Sequence, residues 1–216
     1  MTKTVVFDLD GTLADTSGDL IAAANAVFKA RGEGPKLEAG RDRLTALRGG
    51  RAMLELGYER GGSKGDDDYN ALLAYYGDNI DTHTVLYPGV MDSIEGLIAD
   101  GYLVAICTNK PEGLAETLMT ALGVRDRFRA LTGADTFEVR KPDPFHFTET
   151  VKRAGGDVAK SLIVGDTETD ASTGRAAGVP VILVELEPEA DVARLAPDHI
   201  ITHFDQLRSV VKRLIG

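Results

Sequence analysis

Short apolar runs that end in acids or hydroxyls, separated by helix-length segments, constrain this chain more than any other feature. The first run is Thr4 to Phe7, followed at once by Asp8, Leu9, Asp10, Gly11 and Thr12. Val5, Val6 and Phe7 are apolar at successive positions, the pattern of a strand covered on both faces in a parallel sheet. Asp8 and Asp10 then fall at its carboxyl end, where open α/β sheets bind ligands. Gly11 allows a tight turn and close approach of the backbone to a ligand. Two carboxylates this near each other repel unless a cation or a proton intervenes. Taken alone, the segment reads equally well as a strand followed by an ordinary Asp-Gly turn.

Three later segments weigh against the ordinary turn. Tyr102 to Cys107 is another short buried strand, and it runs into Thr108-Asn109-Lys110-Pro111. Arg140-Lys141-Pro142-Asp143-Pro144 places a lysine in a rigid turn ahead of a helix. Ser161 to Gly165 is a third strand, followed by Asp166, with Asp170 four residues on. In one doubly wound sheet these strand ends converge on a single crevice. The convergent set is two or three acids, a hydroxyl, an amide and a lysine. It suits a magnesium ion beside a phosphate group.

Between the first motif and Tyr87-Pro88-Gly89 the strand pattern stops. Asp15-Thr16-Ser17 offers helix caps, and Leu20, Ile21, Ala24, Val27 and Phe28 follow at helical spacing. Leu37, Leu44 and Leu47 suggest a second helix, and 51–59 and 67–80 complete a helical insert. Beyond residue 89 helices and strands alternate: helix 89–99, strand 102–107, helix 112–122, strand 130–133, helix 143–154, strand 161–165, helix 168–177 and strand 180–184. A short strand at 199–201 and a helix from Phe204 to Leu214 close the series. Such alternation predicts right-handed βαβ units, hence an α/β fold with a Rossmann-like parallel sheet, helices on both faces and an inserted helical cap. The expected domains are a core of residues 1–14 and 86–216 and a cap of residues 15–85. Gly57 to Lys64 resembles a phosphate-binding glycine loop. It reads Gly62-Ser63-Lys64 where Gly-Lys-Ser/Thr is required and lacks a preceding strand, so an exposed turn is expected.

With 34 acids against 24 bases the net charge is −10, which repels nucleic acid and anionic membrane surfaces. It also repels a phosphorylated substrate, so local cations must reverse the field at any phosphate site. No apolar run reaches the ~20 residues needed to span a bilayer, and no early stretch has a signal-peptide layout. The lone Cys107, in an apolar run, reads as a buried spectator in a reducing compartment, and the cytoplasm is the expected location. His83, His146, His199 and His203 lack metal-ligand spacing and read as surface or packing residues.

The four segments together resemble the motifs of the haloacid dehalogenase-like superfamily, in its phosphatase branch with a helical insert after the first motif. Asp8-x-Asp10-Gly11-Thr12 matches the first motif without a gap, Thr108 the second, Lys141 the third, and Gly165-Asp166-x-x-x-Asp170 the fourth. Thr108-Asn109-Lys110-Pro111 and Tyr87-Pro88-Gly89-Val90 look most like phosphoglycolate phosphatases. The resemblance implies Asp8 as nucleophile forming an aspartyl-phosphate, and Asp10 as the acid that protonates the leaving alkoxide and later activates water. It implies Mg2+ held by the Asp8 and Asp166 carboxylates and the Asp10 carbonyl. Lys141 would neutralise phosphate and Asp8, Thr108 and Asn109 would hold phosphate oxygens, and Asp170 would orient ligands or water from behind. A helix cap is the plainer reading of the segment around Thr167 and Glu168.

The expected activity is magnesium-dependent hydrolysis of a small phosphorylated metabolite, 2-phosphoglycolate as the best single guess. A second anionic group on that substrate calls for another cation, and Arg48, ahead of Gly49-Gly50 in the insert, is the candidate. Alternatives are a sugar-phosphate phosphatase, a phosphoglucomutase-like enzyme, or a phosphonate-cleaving relative using Lys29, Lys36 or Lys64. A non-catalytic binder of a phosphorylated ligand is the alternative from another class; intact Asp8, Asp10, Lys141 and Asp166 argue against it. Haloacid dehalogenation is disfavoured, because Asp10 and the metal acids serve phosphorus chemistry.

Overall fold

A computed structural model of the protein describes residues 2–186 and 191–216. Thr4–Phe7 (β1) and Ala14–Asp15 (β2) precede the helices Ser17–Ala30 (α1), Arg43–Ala46 (α2), Gly50–Glu59 (α3) and Asp68–Asp78 (α4). Val85–Leu86 (β3) leads to Val90–Ala99 (α5), Leu103–Cys107 (β4), Glu112–Ala121 (α6), Ala130–Thr132 (β5) and Pro144–Arg153 (α7). Ser161–Gly165 (β6), Glu168–Ala177 (α8), Val181–Val184 (β7), His199–Ile201 (β8) and Leu207–Ile215 (α9) follow. From residue 89 to 184 the expected bounds agree with these to within a residue. The last helix differs at its start, since Phe204–Gln206 is a tighter 3₁₀ turn before α9.

Six strands form one sheet in the order β5-β4-β1-β6-β7-β8, with every pairing parallel. β1 is central: Val5 pairs with Val104 on one flank and Leu162 on the other. All four β1 residues are buried, which explains why the strand is apolar throughout rather than alternating. Val6, Ala105, Cys107 and Ile163 meet Phe147 and Val151 of α7 and Ala171 of α8. Each large apolar side chain so buried contributes about 1.5–3 kcal/mol. α5 and α9 pack together against β4 and β6, with Ser93 Oγ donating to the Phe204 carbonyl at 2.6 Å. The chain runs from β1 outward through β4 to β5, then crosses back to β6 on the other side of β1. That reversal opens a crevice beside the carboxyl end of β1.

The chain divides into two compact units, one of Met1–Leu13 and Leu86–Gly216 and one of Ala14–Val85. The sheet belongs to the larger. Within the smaller, α1 packs with α3 and α4, and the Phe28 ring stands edge-on to Tyr58. Gly57 and Gly62 both lie against Phe28, where a side chain on either would collide with the ring. Gly57 and Gly62 therefore admit an aromatic; Gly57 is buried in α3, whereas Gly61 lies in an exposed turn at φ 82° and Ser63 and Lys64 beyond it are exposed.

Two expectations in this unit need correction. The helix expected from Leu37, Leu44 and Leu47 shrinks to the four residues of α2. Asn25 explains why: its Oδ1 accepts from the Lys36 and Leu37 backbone N–H groups, and its Nδ2 donates to the Leu37 carbonyl. These bonds hold buried Leu37 in a loop, while Leu44 is exposed. Thr16 stands at the cap position of α1 but makes no cap bond; Asp15 Oδ1 instead accepts from Ser17 N–H at 3.1 Å and Ser17 Oγ at 2.6 Å.

Candidate active site

β1 delivers Asp8 to the crevice, and the following backbone determines what surrounds it. Asp8 N–H continues the sheet by donating to the Val164 carbonyl at 2.9 Å, while its Oδ1 accepts from Leu9 N–H at 2.7 Å. Gly11 adopts φ 79°, and a Cβ there would collide with the Asp166 carboxylate. Only glycine satisfies both the backbone and the space. Thr12 Oγ1 then donates to Asp166 Oδ1 at 2.7 Å, fixing the acid that follows β6.

Asp8, Asp166 and Asp170 each offer a carboxylate oxygen within 4.8 Å of the others. Lys141 is the cation among them, 2% exposed, its Nζ 3.0 Å from Asp8 Oδ1 and 2.6 Å from Asp170 Oδ1. Burial would pull this ammonium's pKa down, but the charges of Asp170 and Asp8 outweigh it and hold the group above its ordinary range. For Asp8, burial wins over Lys141 and pushes the carboxyl up to about 6. Asp166 is also raised, by burial first and then by the charges of Asp170 and Asp8. Three crowded acids against one lysine leave a deficit of positive charge. An all-oxygen donor set of this kind fits a hard divalent cation such as magnesium.

Asp170 differs from the other two because both its oxygens are engaged by the protein. Its Oδ2 accepts from Asp166 N–H, Thr167 N–H and Thr167 Oγ1, at 3.3, 3.1 and 2.7 Å, and its Oδ1 takes Lys141. With Thr167 it forms the capping box that starts α8, so the cap reading and the site reading fall on one carboxylate. Gly165 leaves room for it, since a Cβ there would run into Asp170.

The remaining candidates lie around this centre. Thr108 is buried at the end of β4, its N–H donating to the Thr132 carbonyl at 3.0 Å. Exposed Asn109 donates from Nδ2 to the Lys141 carbonyl at 2.9 Å, so its amide braces the lysine turn. Asp10 lies outside the acid cluster: its carboxylate meets Lys110 Nζ at 2.9 and 3.2 Å. Arg48 belongs to the smaller unit, exposed, one residue before Gly49 at φ 95°. Cys107 is buried beneath the site, its thiol pushed up to about 11 chiefly by burial, which leaves it inert as expected.

Two residues near the site escaped the sequence reading. Lys110 gave only the faint signal of a lysine just past a strand end. His146, read as a surface or packing residue, is indeed fully buried against Phe137, and its Nδ1 also accepts from Lys141 N–H at 3.2 Å. Burial, and secondarily the Lys141 charge, pull the His146 pKa down to about 4, so the ring is neutral. Its place one turn into α7, five residues after Lys141, was the available hint.

Comparison with known proteins accords with this arrangement. The family model for haloacid dehalogenase-like hydrolases matches residues 5–184. A phosphoglycolate phosphatase of Mesorhizobium japonicum is 42% identical across 98% of this chain and 96% of its own length. Another, from Agrobacterium fabrum, is 37% identical across 89% and 90%. Among solved structures, a "predicted phosphoglycolate phosphatase" from Haemophilus somnus 129PT superposes with a TM-score of 0.82 at 25% identity, covering 97% of each chain. A haloacid dehalogenase-like family hydrolase from Streptococcus pneumoniae shares the fold at TM-score 0.77 and 22% identity, covering 97% and 98%.

Proposed function

The chain belongs to the haloacid dehalogenase-like hydrolase family, and from that premise we propose that it hydrolyses phosphate monoesters of small metabolites, 2-phosphoglycolate foremost. The observation that carries the reading is the contact of Lys141 with both Asp8 and Asp170, beside Asp166, at the carboxyl end of the central strand. The relatives named phosphoglycolate phosphatase support the choice of ester. The larger unit is proposed as the catalytic core and the smaller, inserted one as a cap.

In the proposed reaction an Asp8 oxygen attacks phosphorus, the bond from phosphorus to the ester oxygen breaks, and an aspartyl-phosphate forms. Asp10 gives its proton to the departing alkoxide, then takes one from the water that attacks the aspartyl-phosphate and releases inorganic phosphate. Lys141 offsets the charge of Asp8 and the phosphoryl oxygens. The Thr108 hydroxyl and the second N–H of the Asn109 amide are proposed to hold those oxygens. The Asp8 and Asp166 carboxylates and the Asp10 carbonyl would hold magnesium, with Asp170 behind them fixing Lys141 and the Asp166 backbone. Bound there, the ion would neutralise charge on the transferring phosphoryl group. Arg48 is proposed for the substrate carboxylate.

A panel of phosphorylated metabolites assayed with and without magnesium tests the reading. Magnesium-dependent turnover with 2-phosphoglycolate at the top is the expected outcome. A preference for sugar phosphates would change the substrate assignment, and no turnover of any ester would sink the phosphatase reading.

A further inference from the structure

Among the described residues only two lysines or arginines are buried, Lys141 and Lys110, and the scheme above uses one of them. Lys110 follows β4 by three residues and is 6% exposed. Its Nζ lies 2.9 Å from Asp10 Oδ1 and 3.2 Å from Oδ2, joining residues a hundred positions apart. A lysine kept only for packing would run its stem over apolar surface and leave its head in water. Burying the head costs several kcal/mol unless a partner compensates, and here the partner is a carboxylate of the site itself. An ammonium that straddles both oxygens also restrains rotation of the carboxyl about its Cβ–Cγ bond. The lysine is held in turn: its N–H donates to Thr108 Oγ1 at 3.2 Å, and Pro111 follows it directly.

We propose that Lys110 is a positioning residue for Asp10, holding its carboxyl in line with the leaving-group oxygen. The inference rests on the phosphatase reading, in which the Asp10 proton moves to the ester oxygen as its bond to phosphorus breaks. That transfer needs the two oxygens within about 2.6–3.2 Å, a condition a freely rotating carboxyl meets only part of the time. The transfer also leaves Asp10 anionic, and the ammonium faces the charge as it develops.

The test is leaving-group dependence of kcat/KM, which reports only the steps through loss of the alcohol. 2-Phosphoglycolate releases an alkoxide that needs a proton, whereas nitrophenyl phosphate releases a phenolate that does not. In the full-length Lys110→Met protein, kcat/KM should fall about 100-fold for the alkyl ester and less than about fivefold for the aryl ester, the scale of general-acid catalysis. In an Asp10→Ala background the same change should add no further discrimination. Lys110→Gln, closer in polarity, serves the same comparison if the methionine variant does not fold. A crystal structure of either variant should show the Asp10 carboxyl displaced. Equal losses on both esters, additive losses with Asp10→Ala, or an unmoved Asp10 would each overturn the proposal. Wild-type protein inert towards both esters would overturn the phosphatase reading as well, which separates the two failures.

Discussion

Two charge clusters in this molecule use the same ingredients and reach opposite states. In the smaller unit, buried Asp42 meets Arg60 through paired bonds of 2.5 and 2.7 Å and accepts Glu38 N–H at 2.8 Å. The Arg60 hydrogen bonds hold its carboxyl down, at about 2. At the strand ends of the larger unit, buried Asp8 and half-buried Asp166 lie beside Lys141, and loss of solvent pushes both up. Burial is common to both, so burial alone does not mark a site. What differs is compensation: the fork of Arg60 satisfies Asp42, whereas Asp8 and Asp170 divide Lys141 with Asp166 crowded beside them. A carboxylate fully paired by its own fold is architecture, and one left short of positive charge awaits a ligand that brings it.

The strongest way to break this contrast is Asp8→Asn. It keeps the shape and removes the negative oxygen proposed to attack, so kcat should drop to background while vanadate or another phosphate analogue still binds. Appreciable turnover would eliminate the covalent route. Next in size is the ion. Chelation should abolish activity, magnesium should restore it better than calcium, and Asp166→Ala should weaken magnesium affinity in a calorimetric titration. Asp42→Asn should leave that affinity untouched; if it does not, the two clusters are not distinct in kind.

Acid stability sharpens the comparison further. Folded His146 resists protonation down to about pH 4, whereas the unfolded chain takes up that proton near pH 6.5. Its contribution is therefore complete above pH 6.5 and declines as the pH falls to 4, by at most about 1.4 kcal/mol per pH unit. Asp8 and Asp166, held above their ordinary range, act in the opposite sense here, so the His146 part is read as the difference between urea titrations of wild type and His146→Asn, which should widen as the pH rises from 4 to 6.5. Asp42 has a folded pKa depressed from 3.8 to about 2, so its contribution is present above 3.8 and lost only as the pH drops towards 2. Arg60→Ala should erase that lower step and leave the upper one. The smallest expected effect is that of Arg48→Ala. The Michaelis constant should rise more for 2-phosphoglycolate than for an uncharged aryl phosphate, and equal rises would remove Arg48 from the substrate site.

The α/β core was legible because its signals are local. Apolar runs of strand length, proline and glycine turns and acids at strand ends all lie within a few residues of the structure they specify. Leu37 was misread because its conformation depends on Asn25, twelve positions earlier, and periodicity carries no record of such a bond. Lys110 went unassigned for the same reason at longer range, and His146 although its partner is only five positions away. A lysine looks solvated until the chain brings Asp10 to it, and a histidine looks incidental until a turn offers it the Lys141 N–H. Asp170 was the intermediate case. Its spacing from Asp166 was visible, but its hold on both Lys141 and the start of α8 needed the fold.

That shared hold binds two properties that a designer would prefer to adjust separately. One oxygen of Asp170 anchors the lysine and the other begins a helix, so the charge balance at the crevice and the rigidity of α8 stand on a single side chain. Asp170→Ala would forfeit a cap worth about 1 kcal/mol and also strand Lys141 with half its partners, a loss on the scale of about 3–5 kcal/mol for a broken buried pair. A substitution here that removes both oxygens disturbs the lysine and the helix together. Engineering of the crevice is better begun at residues with one allegiance, such as Asn109. Drift at position 170 should register as a fall in melting temperature and a change in chemistry together.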